Sequence, residues 1–154
     1  MYRGRFAPSP TGALHFGSMV TAVASYLEAK ANQGKWLLRI EDIDTTRTQT
    51  NAVNDILYGL ERFGLYWDEA ITYQTQRIAL YESALATLGE HVYPCSCTRK
   101  QLLRDTGIAQ GAFGYIYIGR CRQGMLVANK PRFSYRLKTH NAPICVHDSL
   151  QGKL

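Results

Sequence analysis

Nowhere in its 154 residues does the chain carry an unbroken run of about 18 apolar residues, so no bilayer-spanning helix and no membrane partner are expected. The basic opening Met1-Tyr2-Arg3-Gly4-Arg5 has no apolar stretch behind it, which removes the expectation of a secretory signal. Cysteines number only four, and in a chain without such a signal they point to thiols or a metal rather than disulfides. These absences make a cytoplasmic protein the default. Acids are almost missing from residues 99–138, where nine basic residues face Asp105 alone, a balance of +8. Residues 41–90 are the reverse, with nine acids and three arginines, a balance of −6. So basic a segment is expected to meet a polyanion. The aromatics interleaved with it, Phe113, Tyr115, Tyr117, Phe133 and Tyr135, are able to stack on bases or pack against sugar. The same residues would equally serve as strand positions holding a small core.

What is present is concentrated in the first fifty residues. A strand is expected over residues 2–6, a turn rich in proline and glycine follows, and a helix opens near Ser18 and runs to about residue 32. Its face of Met19, Val23, Tyr26, Leu27 and Lys30 falls near a 3.6 period, and Gly34 is the expected stop. Residues 35–40, Lys-Trp-Leu-Leu-Arg-Ile, read as a second strand. A strand–helix–strand unit of this length implies a parallel pair with a right-handed crossover. Sites in such sheets lie beyond the C-terminal strand ends, so the loop after Phe6 and the carboxylates after Ile40 are expected to meet at one crevice. A Gly-bearing loop feeding a helix N-terminus suits phosphate, and His15 in His15-Phe16-Gly17-Ser18 adds an imidazole donor. A plain turn with a surface histidine is the bland alternative. Glu41-Asp42-Ile43-Asp44 is either a charged strand end capping the next helix or a site for an α-amino group.

Further along, a helix is expected over residues 48–63, with Val53, Ile56, Leu57 and Leu60 inward and Gly64 ending it. A short extended piece over 71–73 leads to a third helix from 74 to 88, with Ile78, Tyr81, Leu85 and Leu88 inward and Gly89 as cap. Thr98-Arg99-Lys100-Gln101 is a capping box for a short helix. Glycines 107, 111, 114, 119 and 124 then break up a stretch that needs a staple. Cys95, Cys97 and Cys121 are expected to supply it by holding one structural zinc ion. The fourth ligand is open among Tyr117, His91, His140, His147, Cys145 and water, and Cys145 reads as a small buried apolar residue. Strands are expected over 131–138 and 144–148.

The stretch from Arg5 to Gly17 resembles the first signature of class I aminoacyl-tRNA synthetases. Its flanks, Arg5-x-Ala7-Pro8-Ser9-Pro10-Thr11-Gly12 and Arg39-Ile40-Glu41-Asp42-Ile43-Asp44, resemble the glutamyl branch, as does Tyr73-Gln74-Thr75-Gln76-Arg77. Within that branch the chain is most similar to the short glutamyl-queuosine tRNA(Asp) synthetase family, which lacks an anticodon-binding domain. The resemblance runs along nearly the whole chain and covers about the first half of that family's usual length. It implies an α/β, partial Rossmann-type nucleotide-binding fold with a small inserted zinc-bearing subdomain. Residues 1–92 would be the N-terminal part of the catalytic domain, 93–130 the insert and 131–154 the return strands. The implied activity is ATP-dependent activation of L-glutamate, with Mg2+, and its transfer to queuosine in the anticodon loop of tRNA(Asp). The resemblance carries catalysis onto His15 and Gly17, and glutamate binding onto Arg5, Ala7, Ser9 and Glu41. It carries ATP binding onto Pro8, Thr11, Gly12, His15, Gly17 and Ser18, and zinc onto Cys95, Cys97, Tyr117 and Cys121. The spacing from Cys97 to Tyr117 is longer than the family pattern. No Lys-x-Ser-Lys of the second class I signature occurs, and the later sheet strands are absent, so the first strand is expected to present an open edge for self-association. The competing readings are the first half of a conventional glutamyl-tRNA synthetase and a non-catalytic zinc-bearing RNA-binding module.

Overall fold

The computed structural model describes residues 1–105, 110–111, 114–125, 131, 133–140, 142–148 and 152–153. Gly107, Phe113, Lys130 and Arg132, to which the sequence assigns turn, stacking and charge roles, lie outside the described residues, as does the side chain of Tyr115. The chain forms two compact units, Met1–Glu82 and Ser83–Leu154.

In the first unit, strand β1 (Arg3–Phe6) and strand β2 (Lys35–Ile40) are joined by helix α1 (Phe16–Ala31). The strands are parallel, with Gly4 opposite Trp36 and Phe6 opposite Leu38. Side chains alternate across a sheet, so these four and Ile40 bury one face, while Arg3, Arg5, Lys35, Leu37 and Arg39 line the other. Helix α2 (Ala52–Arg62) returns the chain to strand β3 (Thr72–Tyr73), which pairs in parallel with the end of β2. The order β1-β2-β3 leaves β1 at one edge among the described residues. Two right-handed crossovers running the same way along a sheet put both helices on one face. The core has that composition: Ala22 and Ala29 from α1 and Ile56 and Leu60 from α2 share it with Phe6, Trp36, Leu38 and Ile40.

Trp36 is fully buried and organises this core. Its ring stacks on Phe6 with centroids 6.1 Å apart and meets Tyr26 edge-on at 5.3 Å. Burying an indole N–H requires a partner, and Nε1 donates to Ser25 Oγ at 2.9 Å.

Several boundaries differ from the sequence expectation. Helix α1 opens at Phe16, two residues early, because the His15 side chain caps it. Leu27 is 60% exposed rather than inward. The stripe nearest the sheet is the small pair Ala22 and Ala29, and Leu27 lies about 140° around the helix from Ala22 at 3.6 residues per turn. Gly34 is not the left-handed residue that stops α1. Gln33 takes that conformation, with φ 51°, in a closing pattern where its N–H bonds Lys30 O and the Gly34 N–H bonds Ala29 O. Gly34 is glycine for another reason: a Cβ there would lie 2.4 Å from the Tyr2 carbonyl oxygen. Helix α2 begins at Ala52 instead of Thr48, since residues 45–51 are drawn into turns, with the Gln49 N–H on Pro10 O and Asn51 at φ 68°. Gly64 ends it as expected, at φ 71°.

A 3-10 turn (Thr75–Arg77) leads into helix α3 (Ile78–Leu88). Its expected inward face is not buried: Ile78 is 42% and Leu88 39% exposed, and Tyr81 and Leu85 are half-buried. An apolar stripe is buried only as far as a packing partner covers it, and this one is covered in part, at Tyr81 and Leu85.

The second unit is built on strand β4 (Val92–Cys95), antiparallel to a later strand at Ser134–Leu137. Between them come helix α4 (Arg99–Asp105) and strands β5 (Gln110–Gly111) and β6 (Gly114–Tyr115), which makes Ser134–Leu137 strand β7. Strands β8 (His147–Asp148) and β9 (Gly152–Lys153) form a last antiparallel pair. The capping box forms, with Thr98 Oγ1 accepting the Gln101 N–H and Gln101 Oε1 accepting the Thr98 N–H. The two late strands are shorter than expected. Residues 143–146 pair with nothing described, so Cys145 is exposed rather than buried. No described helix is long and apolar enough to cross a membrane.

Candidate functional site

The loops leaving β1 and β2 meet at the C-terminal edge of the sheet. The Glu41 N–H donates to Pro8 O at 2.9 Å, and the Gln49 N–H donates to Pro10 O at 2.9 Å. Beside this junction is a cleft of about 350 Å³. Of the residues singled out in the sequence, Ala7, Pro8, Ser9, Thr11, Gly12, His15 and Ser18 line it. Arg5, Gly17 and Glu41 lie outside its walls. Arg5 stands on β1 opposite Leu37, on the sheet face away from the core.

His15 sits at the N-cap of α1. Its Nδ1 accepts the Ser18 backbone N–H at 3.2 Å, and its Nε2 lies 3.0 Å from Ser18 Oγ. An accepting Nδ1 leaves the proton of a neutral ring on Nε2, so Nε2 donates to the serine. The histidine is thereby turned onto the helix start. Gly17 makes room for this: a Cβ there would come within 3.2 Å of the imidazole Cε1. The glycine accommodates the histidine as well as leaving its own position open.

The three carboxylates after β2 have three separate duties. Glu41 is paired with Arg39, two residues back on the same strand face. Asp42 accepts the Thr75 N–H at 3.0 Å and Thr75 Oγ1 at 2.6 Å, so it caps the turn into α3 rather than the start of α2. Burial alone would raise Asp42, but these Thr75 bonds outweigh it and hold the carboxyl below its usual range. Asp44 accepts Thr46 Oγ1 and Arg47 Nε, each at 2.6 Å, and is likewise held down. Arg47 is a residue that sequence reasoning missed. Asp44 aims its guanidinium so that Arg47 lines the cleft with His15 and Ser18. An Asp-x-x-Arg pair next to a strand end was the only available signal.

In the second unit the sulfur atoms of Cys95, Cys97 and Cys121 all lie within 4.8 Å of one another. Ligands about 2.3 Å from a tetrahedral zinc stand about 3.8 Å apart. Cys97 and Cys121 are 3.6 Å apart, and the Tyr117 hydroxyl is 3.4 Å from Cys95 Sγ and 3.8 Å from Cys97 Sγ. Three thiols and a phenol thus converge at a spacing that fits zinc. His91, His140 and His147, the competing fourth ligands, are exposed and outside the metal-ready cluster among the described residues. The Tyr117 oxygen also accepts the Cys121 N–H at 2.9 Å. Burial and the neighbouring Cys95 push the Tyr117 phenol up. Burial raises Cys97 as well, while Cys95 is lowered because bonds from Tyr117 and Arg136 outweigh its burial. A bound cation would reverse this balance by favouring every anionic ligand.

A family profile for the catalytic domain of class I tRNA synthetases (E and Q) matches residues 1–153. A glutamyl-Q tRNA(Asp) synthetase of Neisseria meningitidis serogroup A is 54% identical over 124 residues, which cover 79% of this chain and 41% of that protein. A protein of the same name from Chromobacterium violaceum is 46% identical over 155 residues, covering 99% of this chain and 51% of its own length. Among solved structures, a glutamate tRNA ligase from Elizabethkingia meningosepticum in complex with its amino acid is similar at a TM-score of 0.74 and 29% identity, covering 99% of this chain and 35% of that one. The chain spans about half the length of the curated relatives it matches.

Proposed function

The chain belongs to the class I tRNA synthetase (E and Q) catalytic-domain family, and we propose that it forms the glutamate- and ATP-binding half of a synthetase that charges queuosine in the anticodon loop of tRNA(Asp). The observation that carries this reading is the junction of the two strand-end loops, Glu41 N–H on Pro8 O, beside a cleft whose walls include His15, Ser18 and Arg47. The similarity to proteins named glutamyl-Q tRNA(Asp) synthetase, at 46–54% identity against 29% for the glutamate tRNA ligase, favours the queuosine acceptor over a conventional one.

In this reading the glutamate carboxylate attacks the α-phosphate of ATP in line. A carboxylate oxygen–phosphorus bond forms and the bond to the pyrophosphate oxygen breaks, leaving a mixed anhydride that a hydroxyl of the queuosine later opens. His15, released from Ser18 Oγ, donates Nε2–H to a phosphate oxygen, the first N–H groups of α1 face the same anion, and Arg47 adds a fixed cation. Mg2+ accompanies the nucleotide. Pro8, Thr11, Gly12, Gly17 and Ser18 shape the nucleotide side. Arg5, Ala7, Ser9 and Glu41 hold the glutamate: Arg5 forks the carboxylate that does not attack, and Glu41, exchanging Arg39 for the ligand, accepts from its α-amino group. A structural zinc ion on Cys95, Cys97, Tyr117 and Cys121 would cross-link the second unit, whose basic residues meet tRNA. A cytoplasmic location follows from such partners.

The test is glutamate-dependent ATP–pyrophosphate exchange without tRNA. The queuosine-type family is expected to activate glutamate alone, whereas conventional glutamyl-tRNA synthetases are expected to need tRNA. Exchange without tRNA supports the reading. Exchange only on addition of tRNA(Glu) would transfer the chain to the conventional branch, and no exchange from folded protein would leave the RNA-binding reading.

A further inference from the structure

Arg136 touches the thiol cluster without being one of its ligands. Strand β7 places it directly opposite Tyr93 on β4, and both residues share a sheet face with Cys95 and Ser134. From there its guanidinium lies over the Tyr117 ring, with Cζ 3.8 Å from the centroid, and the hydroxyl of that ring is 3.4 Å from the Cys95 sulfur. Its Nε is buried and has no hydrogen-bond partner among the described residues. A partly buried cation with an unpaired N–H carries a cost that a purely structural contact would avoid by using an apolar side chain.

We propose that Arg136 is a positioning residue of the metal centre, clamping Tyr117 as its fourth ligand and offsetting the charge of the thiolates. The proposal rests on the reading that this cluster holds zinc. Cysteines bind a metal as thiolates, so three of them and an ionised Tyr117 around a dication leave two net negative charges. One guanidinium beside the cluster offsets one of them. The guanidinium over the ring also restrains the tyrosine, so that its hydroxyl stays at 3.4 and 3.8 Å from two sulfurs while it accepts the Cys121 N–H. A lysine at the same place would restore the charge but not the stack, because only the planar guanidinium lies flat on an aromatic face. The role belongs to the partners outside the ligand shell that orient ligands and tune affinity.

The test loads the whole chain with Co2+ and measures competition for Zn2+ against a coloured chelator. The unaltered chain should take up one Co2+ with the thiolate charge-transfer and strong ligand-field bands of a tetrahedral site. If it takes up none, the zinc reading fails and the proposal falls with it. With that reading standing, Arg136→Gln should weaken zinc about 10- to 100-fold and shift the ligand-field bands, and Arg136→Lys should recover only part of the affinity. Tyr117→Phe should weaken zinc in the parent chain and weaken it by less once Arg136→Gln is present, because part of the arginine's effect runs through the tyrosine. Equal affinity and identical bands in Arg136→Gln, or full multiplication of the two effects, would overturn the role of Arg136 while leaving the zinc site intact. Should Arg136→Gln fail to fold, Arg136→Lys decides alone: several-fold weaker binding supports the clamp, and parent affinity overturns it.

Discussion

Asp68 and Trp36 are joined twice. The Asp68 carboxylate accepts the Trp36 backbone N–H at 2.6 Å, and the Asp68 N–H donates back to the Trp36 carbonyl at 3.0 Å. Lys30 Nζ holds both carboxylate oxygens at 2.8 Å, so one acid ties the end of α1, the start of β2 and the loop before β3 together.

The bonds from Lys30 and from the Trp36 N–H hold the Asp68 carboxyl below its usual range. A depressed carboxylate adds stability that is fully present above the unfolded value, near 4, and is lost as pH falls through the folded one. Asp42, also depressed, acts in the same direction. Urea midpoints should therefore be level from pH 7 to about 5 and drop below about 4. Asp68→Asn, which cannot titrate, should flatten that drop. Asp68→Ala leaves a buried strand N–H unpaired and should cost about 2 kcal/mol at pH 7. A drop of unchanged steepness in Asp68→Asn would place the acid sensitivity elsewhere.

The end of α1 makes two adjacent residues behave oppositely. Gln33 holds φ 51° where glycine is favoured, so Gln33→Gly should raise stability by about 0.5–1 kcal/mol, less than the full left-handed penalty because the unfolded chain gains freedom too. Gly34→Ala would drive a Cβ to 2.4 Å from the Tyr2 carbonyl and must separate β1 from the helix end, at a cost of about 3 kcal/mol. Thermal melts of the two variants should shift in opposite directions.

The β1–α1–β2 unit was legible because three independent signals agree there: a short apolar strand, a 3.6 period and a glycine-bearing turn. The thiol cluster was legible from spacing and composition. Leu27 was misassigned because a period identifies an apolar face but not its centre, which here belongs to two alanines. The late start of α2 depends on Pro10 and Gln49, nearly forty residues apart, and no local pattern carries that bond. Arg47 and Arg136 escaped for a related reason. Each looked like one more surface cation until Asp44 in one case, and the pairing of β4 with β7 in the other, gave it a direction.

Arg47 supplies the guanidinium in the cleft walls, and its Nε is held by Asp44. If it meets phosphate, Arg47→Ala should lower glutamate-dependent ATP–pyrophosphate exchange about 100-fold, the scale seen on removing one preorganised donor. Arg47→Lys should keep the charge but lose the Asp44 alignment, giving an intermediate rate. Asp44→Ala should loosen the arginine and cost less than its removal. Unchanged exchange in Arg47→Ala, measured over a range of ATP concentrations, would remove Arg47 from the nucleotide side.

The second unit has a small core whose buried members are Tyr93, Cys95 and Cys121, with Cys97 and Tyr117 packed against them. Four of these five are the proposed zinc ligands, so a metal bound there would sit in the core itself. In so small a unit, metal binding energy is folding energy. Chelation should release one zinc per chain and open β4 and β7, raising amide exchange at Tyr93, Cys95, Tyr135 and Arg136. Both tryptophans, Trp36 and Trp67, lie in the first unit, against a core of its own that contains no thiol. Their fluorescence should therefore hold steady while the second unit opens. A tryptophan signal that collapses on chelation would mean that the first unit depends on the metal as well. Amide protection of β4 that survives chelation would mean that the thiol cluster packs as an ordinary apolar core.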